Sequence, residues 1–404
     1  MSAHERKPLV PRLRFPEFRE AGEWEEKTLG AVSDMQAGKF IAASDISEKK
    51  ADDLYPCFGG NGLRGYCKTY NQSGRYSLIG RQGAHCGNVN LVDGKFYATE
   101  HAVVTTPKAG VSADWLFHNL RLLNLNRFAT GQAQPGLSVE VLEKVNCVVP
   151  KNKDEQQKIA DCLSSLDELI TAETRKLDTL KTHKKGLMQQ IFPHEGETVP
   201  RLRFLEFREA AEWEEKALGQ LGELVSGLTY SPDDVRNEGL LVLRSSNVQD
   251  GRIVLDDNVY VRPDIKGASP SLPNDILICV RNGSKSLIGK NALIPEGMPP
   301  CTHGAFMTVF RSSAAKFIIQ LFQTKAYDKQ VAADLGATIN SINGNQLKKY
   351  KFLVPGPEEQ QAIADCLSSL DDLITAQSQK IEALKTHKKG LMQQLFPVLD
   401  KVSA

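Results

Sequence analysis

The fold is decided by EQQKIADCLSSLDELITAETRKLDTLKTHKKGLMQQIFP (residues 155–193), because this stretch returns almost unchanged as EQQAIADCLSSLDDLITAQSQKIEALKTHKKGLMQQLFP (359–397), with 30 of 39 positions identical. A second stretch, PRLRFPEFREAGEWEEKTLG (11–30), returns as PRLRFLEFREAAEWEEKALG (200–219), with 17 of 20 positions identical. The stretches between these near-copies resemble each other very little. The chain is therefore a duplicated frame that carries two different inserts, as expected of a protein that reads two different things at a fixed separation.

The longer repeat predicts one long amphipathic helix per copy, because its apolar residues follow an alternating spacing of four and three. Only Glu173 and Lys184 interrupt the pattern in the first copy, and Gln377 and Lys388 in the second. We expect the two apolar seams to pack against each other as an antiparallel coiled coil. The alternative is that each seam packs on the insert beside it. The seam comprises Ile159, Leu163, Leu166, Ile170, Leu177, Leu180, Leu187 and Ile191, and then Ile363, Leu367, Leu370, Ile374, Ile381, Leu384, Leu391 and Leu395.

The two inserts predict one mixed fold with diverged surfaces, because both contain short alternating runs between Gly-rich turns, then a helical stretch and a Val-Pro exit. The predicted fold class is α+β, with two mixed α/β domains separated by an antiparallel two-helix coiled coil in a pseudo-twofold internal repeat. The predicted parts are an N-terminal conserved segment (1–30), a first insert domain (31–152), a central helix (153–193), a linker that repeats the N-terminal segment (194–219), a second insert domain (220–356), a C-terminal helix (357–397) and a tail (398–404).

The composition predicts an ordinary globular protein located in the cytoplasm. Of the 404 residues, 41% are hydrophobic and 25% are charged, and the net charge is +1. No run is long and apolar enough for a membrane span, and the first residues lack the apolar core of a signal peptide. The eight cysteines form no CxxC pair, so we expect free thiols and no metal site. A near-neutral total charge neither demands nor excludes a nucleic-acid partner, since it can hide a basic stripe.

The sequence contains no recognisable catalytic signature. It has no GxxxxGK[ST] phosphate loop, no GxSxG elbow and no HExxH pair. The nearest approach to a methyltransferase signature is MPPC (298–301), which lacks both the asparagine and the aromatic residue. We therefore expect a chain without catalytic residues of its own.

Polar side chains among glycines favour recognition of DNA. Arg, Asn and Gln can form paired hydrogen bonds to purine edges, and glycine lets a backbone approach a base or phosphate closely. The alternative for each residue is a polar turn that satisfies its own backbone, and His101 and His303 could equally be core histidines. The candidates are Asn61, Arg64, Arg81, Gln82, His85, Asn88, Gln132 and Gln134 in the first insert, and Arg244, Ser245, Ser246, Asn247, Arg281, Asn282, Ser284, Lys285, Ser286 and Lys290 in the second.

The chain resembles the specificity subunit of type I restriction–modification enzymes. The resemblance is carried by the paired helices, by the repeated entry from Trp24 to Gly30 and from Trp213 to Gly219, and by stretches such as YPCFGGNGLRGY and LRSSNV. The resemblance covers nearly the whole chain, and its architecture is more specific than any of its short motifs. It implies two target recognition domains, each reading half of a bipartite site in double-stranded DNA, and a coiled coil that sets the gap.

The resemblance also implies partners. Two methyltransferase subunits would bind the frame, and motor–nuclease subunits would complete a site-specific DNA adenine methyltransferase and endonuclease complex. S-adenosylmethionine, ATP and Mg²⁺ would belong to those partners, with no cofactor on this chain. Other interpretations are a specificity subunit of a methylation-only or fused system, a free-standing enzyme, and a bivalent scaffold for proteins rather than DNA.

Overall fold

The computed structural model describes residues 8–83, 85–131, 135–337 and 340–397, and these form two compact units. The first unit combines the chain up to Arg175 with the residues from Ser378 onward, and the second spans Lys176–Gln377. Each long repeated helix is therefore shared between the two units. Both units mix helices with sheets, which confirms the α+β class.

Within the described residues the helices are α1 (Leu29–Val32), α2 (Ala113–Leu122), α3 (Val139–Lys144), α4 (Lys153–Ile191), α5 (Leu218–Leu221), α6 (Ala315–Leu321), α7 (Lys325–Ala337), α8 (Gly344–Leu347) and α9 (Pro357–Leu395). The predicted long helices are thus α4 and α9, each of 39 residues. Both run without interruption because the repeat contains no proline and only one glycine before its end.

The first unit contains two four-stranded sheets. Its strands are β1 (Glu25–Thr28), β2 (Ser33–Ala37), β3 (Tyr55–Gly59), β4 (Gly62–Cys67), β5 (Gln72–Ser73), β6 (Tyr76–Gly80), β7 (Val89–Val92), β8 (Lys95–Ala98), β9 (Ala102–Pro107) and β10 (Asn146–Val149). One sheet has the order β2-β9-β6-β7 and is antiparallel throughout. The other has the order β4-β3-β8-β5, with β3 and β8 parallel, and β1 pairs separately with β10.

The second unit repeats this plan. Its strands are β11 (Glu214–Ala217), β12 (Glu223–Ser226), β13 (Val235–Arg236), β14 (Leu240–Leu243), β15 (Val248–Gln249), β16 (Arg252–Ile253), β17 (Val259–Val261), β18 (Ile276–Cys279), β19 (Asn291–Leu293), β20 (Cys301–His303), β21 (Met307–Arg311) and β22 (Lys351–Val354). The antiparallel sheet β12-β21-β18-β19 matches β2-β9-β6-β7 of the first unit, and β11 pairs with β22 as β1 does with β10. The inserts therefore share one fold despite their different sequences.

The helix seam is shielded from water in both units, since none of its sixteen residues is exposed. In the first unit, Ile159 and Leu163 of α4 share a core with Leu395 of α9 and with the insert. In the second, Ile191 of α4 shares a core with Leu367 of α9. The helix ends thus pack on each other and on an insert at once, so both packing arrangements considered for the seam occur together.

Charged pairs account for three of the four interruptions in the seam, namely Glu173, Lys184 and Lys388. In the first unit, Lys388 of α9 pairs with Asp167 of α4, and Lys380 pairs with Glu173. Residue numbers rise along one helix as they fall along the other, which confirms the antiparallel direction. In the second unit, the buried Lys184 of α4 pairs with Asp371 of α9 at 2.7 Å.

Each long helix is tied at its start to the conserved segment by a buried ion pair. The Arg14 guanidinium donates to both carboxylate oxygens of Glu155, at 2.7 and 2.8 Å, and Trp24 Nε1 donates to the same carboxylate. In the second unit, Arg203 donates to both oxygens of Glu359 at 2.8 and 2.7 Å. Paired hydrogen bonds of this kind are strong and directional, so the repeated segment has a structural role.

Arg203→Ala should lower the free energy of unfolding by about 3–5 kcal/mol, because it leaves a buried carboxylate without its partner. The side chain of Glu359 is only 3% exposed. Urea titration followed by circular dichroism measures the loss. The matched control is Arg201→Ala, whose 62% exposed side chain pairs with Glu197 on the surface and should contribute no more than about 1 kcal/mol. Equal losses in the two variants would contradict a structural role for the Arg203–Glu359 pair.

The first unit buries a histidine where the second has a glutamine. His118 of α2 is fully buried, and its Nε2 lies 3.1 Å from Oγ of Ser164. In the second unit, Gln320 of α6 donates to Asp371 at 3.0 Å. Burial lowers the pKa of His118 from 6.5 to about 4, and the nearby charge of Lys388 adds to this effect.

We predict that the stability of the first unit falls as the pH drops from about 6.5 to about 4, because the unfolded chain binds a proton that buried His118 resists. His118→Gln, which installs the residue of the second unit, should remove this contribution. The contribution is at most about 3 kcal/mol. Thermal unfolding of both proteins across this pH range measures the difference in slope. Parallel pH profiles would show that His118 does not resist protonation in the folded state.

Candidate nucleic-acid interface

Three loops of the first unit meet at one end of its sheets, where β6 finishes and β9 begins. They are residues 59–62, residues 80–83 with 85–88, and residues 99–101. A Cβ atom on Gly80 would lie 2.3 Å from the carbonyl oxygen of Gly60, and one on Gly60 would lie 2.8 Å from that of His101. Only glycine permits this approach of backbone to backbone. Glycine at these positions therefore allows the loops to lie in direct backbone contact.

Most of the predicted polar residues of the first insert gather at this end. Asn88 Nδ2 lies 3.5 Å from Oδ1 of Asn61 and 3.4 Å from Nδ1 of His85, and all three side chains are exposed. Gln82 is exposed and contacts His101, while Arg64 passes close to Gly59. Gln132 and Gln134 lie outside the described residues. The cluster of these residues with Arg81 is called the first reading surface below.

Several polar atoms beneath the first reading surface are buried and have no hydrogen-bond partner among the described residues. They are Nε of Arg81, Oγ1 of Thr99 and Oε2 of Glu100. Buried polar atoms are nearly always paired with protein or water, so atoms of this kind need an explanation. A polar ligand or bound water at the loop cluster would satisfy them.

The second unit brings fewer of its predicted residues together. Asn282 Nδ2 donates to Oγ of Ser245 at 3.0 Å, and the Arg281 guanidinium lies over the ring of Phe306, 5.5 Å from its centroid. Ser284 and Ser286 follow on the same exposed loop, with their Oγ atoms 2.9 Å apart. Ser245, Arg281, Asn282 and Phe306 are called the second reading surface below.

Other predicted residues of the second insert have structural partners. Asn247 is fully buried, and its amide donates to the carbonyl of Val254 at 3.0 Å. Arg244 pairs with Asp257 at 2.7 Å, and Lys290 donates to the carbonyl of Val248. These contacts place Asn247 in the framework of the loop rather than on its outer face.

Two further predicted residues, Ser246 and Lys285, make few contacts. Ser246 Oγ is buried with no partner in the described part of the chain, and exposed Lys285 Nζ lies 3.4 Å from the carbonyl of Leu335.

His303 is a core residue, with Nδ1 2.9 Å from Oγ of Ser271 and Nε2 2.9 Å from the carbonyl of Val225. Burial lowers the pKa of His303, so its ring is neutral at physiological pH.

Uncompensated positive charge marks both surfaces. Across residues 8–83, 85–131, 135–337 and 340–397, no carboxylate forms an ion pair with Arg64, Arg81 or Arg281. The exposed guanidinium groups of Arg64 and Arg281 are therefore available for anionic oxygens or base edges, whereas Arg81 is half-buried. Phe306 was not predicted from the sequence. Its place directly after the Gly-containing stretch CTHGA (301–305) was a usable signal, because an aromatic residue that stays exposed on a loop suits contact with a ligand.

The described residues contain neither a metal-binding cluster nor a membrane-spanning helix. No group of His, Cys, Asp and Glu side chains there could hold a metal ion. None of the helices there combines the length and the apolar character that a membrane span needs.

The fold is duplicated, and each copy carries its own cluster of exposed polar side chains on loops. The family model described as type I restriction modification DNA specificity domain matches residues 21–182 and 210–386, which is most of the chain. The chain belongs to this family.

Two relatives are specificity subunits, and one solved structure shares the fold. The EcoprrI specificity subunit of Escherichia coli is 48% identical over 153 residues, a match that spans 38% of this chain and only 38% of that subunit. The MjaVIII specificity subunit of Methanocaldococcus jannaschii is 26% identical over 295 residues, or 70% of this chain and 69% of its own. The crystal structure of a type I S subunit from M. genitalium has the same fold, with a TM-score of 0.70 at 16% identity, covering 97% of this chain and all of that one.

Proposed function

We propose that this chain is the specificity subunit of a type I restriction–modification complex and reads a bipartite site in double-stranded DNA. The observation that carries the proposal is the repetition of one frame and one insert fold, with different exposed side chains at the same corner of each insert. A protein that read a symmetric site would need no such difference. We keep residues 31–152 and 220–356 as the proposed target recognition domains.

In the proposed mechanism, Lys and Arg side chains hold phosphates and set the register, while exposed Arg, Asn and Gln side chains read base edges. Each half-site is too short to be bound tightly by one surface alone. Joining both surfaces in one chain makes the second reading intramolecular, so its effective concentration is high. Tight binding then requires both half-sites on one DNA molecule.

We propose that two methyltransferase subunits, and motor–nuclease subunits where present, dock on the repeated frame. Support comes from exposed residues that are the same in both copies, such as Leu13 and Leu202, or Glu17 and Glu206. Identical exposed side chains in both units suit two copies of one partner. Base flipping, methyl transfer and cleavage, with S-adenosylmethionine, ATP and Mg²⁺, then belong to the partners, and this chain works without catalysis of its own in the cytoplasm.

Arg81→Ala and Arg281→Ala should each weaken binding of the specific duplex by about 1–3 kcal/mol, if they contact bases, and relax one base position each. Fluorescence anisotropy at several salt concentrations separates this result from loss of a phosphate contact, which weakens all sequences evenly and reduces the salt slope. The matched control is Arg75→Ala. Arg75 stands at the opposite end of β6 and pairs with Asp114, so its loss should leave DNA binding unchanged. Unaltered binding in both test variants would place the DNA on other loops.

The proposed function is tested most directly by exchanging residues 31–150 for the matching insert of a related subunit. The hybrid, assembled with methyltransferase subunits, should methylate a site with one new half and one old half. Sequencing of modified bases in DNA methylated by the parent and by the hybrid reads out both halves. A hybrid that changes both halves, or neither, would contradict independent reading. If the chain showed no salt-dependent binding of DNA, a bivalent scaffold for proteins would be favoured instead.

A further inference from the structure

The strand registers show which residues of the two units are equivalent. In the first unit, Gly80 of β6 pairs with Ala102 of β9, and in the second, Cys279 of β18 pairs with Met307 of β21. The sheets have the same order, so these two pairs occupy the same place. Each strand is then followed by a loop residue whose amide donates across to the turn before the partner strand.

That next residue is Arg81 in the first unit, which donates to the carbonyl of His101 at 3.1 Å, and Val280 in the second, which donates to the carbonyl of Phe306 at 3.0 Å. The following residue forms an isolated β-bridge in both units. Gln82 bridges to Gly136, and Arg281 bridges to Ser341.

The structure therefore makes Gln82 equivalent to Arg281 and His101 equivalent to Phe306, whereas the motifs RQG and RNG align Arg81 with Arg281. Both pairs of side chains touch. Oε1 of Gln82 lies 3.0 Å from Nδ1 of His101, and the Arg281 guanidinium lies 5.5 Å from the centre of the Phe306 ring. The same two positions thus form a contact in both units, although all four residues differ in type.

One member of each pair is exposed to a ligand, and the other supports it. Gln82 and Arg281 are both exposed on loops. His101 is held on its other side, because Nε2 lies 3.1 Å from Oε1 of Glu100. When Nδ1 of His101 carries the proton and donates to the carbonyl oxygen of Gln82, Gln82 keeps a second lone pair and both amide protons for a ligand.

Phe306 supports Arg281 in a different way. Its ring is 57% exposed, and the guanidinium carbon of Arg281 lies over the ring, 5.5 Å from its centre. A ring face offers no hydrogen-bond acceptor in the guanidinium plane, so the donors at the edge of Arg281 stay free. No described residue accepts a hydrogen bond from that side chain.

We propose that Gln82 with His101 and Arg281 with Phe306 are equivalent reader pairs, which read adenine in one half-site and guanine in the other. The inference rests on the proposed function and adds the base class that each surface selects. A Gln amide matches N6 and N7 of adenine, and an Arg guanidinium matches O6 and N7 of guanine. His101 and Phe306 are positioning residues, which fix the orientation of the reader and do not themselves determine the base.

The test uses the full chain assembled with its methyltransferase subunits and a duplex library with a randomised segment. Selection and sequencing first establish both half-sites of the parent. The double exchange Gln82→Arg with His101→Phe installs the second unit's pair in the first. It should change one base pair of one half-site from A·T to G·C, with a reversal of preference on the order of 5- to 150-fold. The other half-site should stay the same.

The reciprocal exchange, Arg281→Gln with Phe306→His, should change the other half-site from G·C to A·T at one position. Gln82→Ala and Arg281→Ala remove exposed side chains without disturbing the core, and each should abolish preference at that same position only. Phe306→Leu keeps apolar bulk but removes the flat ring. It should reduce discrimination at the Arg281 position while the salt dependence of binding stays unchanged, which a purely structural role would not produce.

The possible outcomes separate the two levels of the proposal. If the parent selects no bipartite site, the proposed function fails and the inference fails with it. If the parent selects a bipartite site but the alanine variants keep every base preference, the reader pairs are wrong and the function stands. If the alanine variants lose affinity equally for all sequences, Gln82 and Arg281 contact phosphates, and the inference is overturned.

Discussion

Pairing of α4 with α9 is the interaction on which the rest of the structure depends. A helix of 39 residues with one apolar stripe gains most of its stability by burying that stripe, and each helix supplies part of the surface that covers the other. The stripe is not uniformly apolar, because Lys388 and Lys184 are buried within it and each meets an aspartate of the opposite helix. A buried charge tolerates only the arrangement that supplies its partner, and one residue of slip along either helix would leave both lysines unpaired. The apolar residues thus supply affinity between the helices, and the buried pairs favour a single register.

The same buried pairs connect each insert to the helices. In the first unit, Asp167 lies near Arg121 of α2 as well as Lys388. In the second, Lys184 donates to Gln323 at 2.8 Å, and Asp371 accepts from Gln320. The helix of each insert therefore contacts the Lys–Asp pair of the frame through polar side chains. The individual contacts differ, since Arg121 meets the aspartate in the first unit whereas Gln323 meets the lysine in the second, so one kind of frame accepts two diverged inserts.

The frame could be predicted from the sequence because it is repeated. The exposed loop residues of the two inserts are not repeated, so their positions could be predicted only in part. The bounds of α4 and α9 differ from the predicted 153–193 and 357–397 by no more than two residues, because spacing and prolines are local signals. The role of Asn247 was not predictable, since its burial depends on the carbonyls of Val254 and Asp257 folding around it. The equivalence of Gln82 with Arg281 was also hidden. It depends on strand register, and the Arg-x-Gly motifs point to an alignment that is one residue out.

The frame and the reading surfaces differ in what a substitution costs. Arg14, Arg203 and the buried lysines sit in pairs whose disruption leaves an unpaired buried charge, at a cost of several kcal/mol. Gln82 and Arg281 are exposed on loops fixed by backbone hydrogen bonds, where most substitutions change stability by no more than about 0.5 kcal/mol. Side chains at these positions can therefore be replaced while the fold persists. Under the proposed function, exposed readers on a duplicated frame would let each half of the recognised site change by itself, because neither change disturbs α4 and α9.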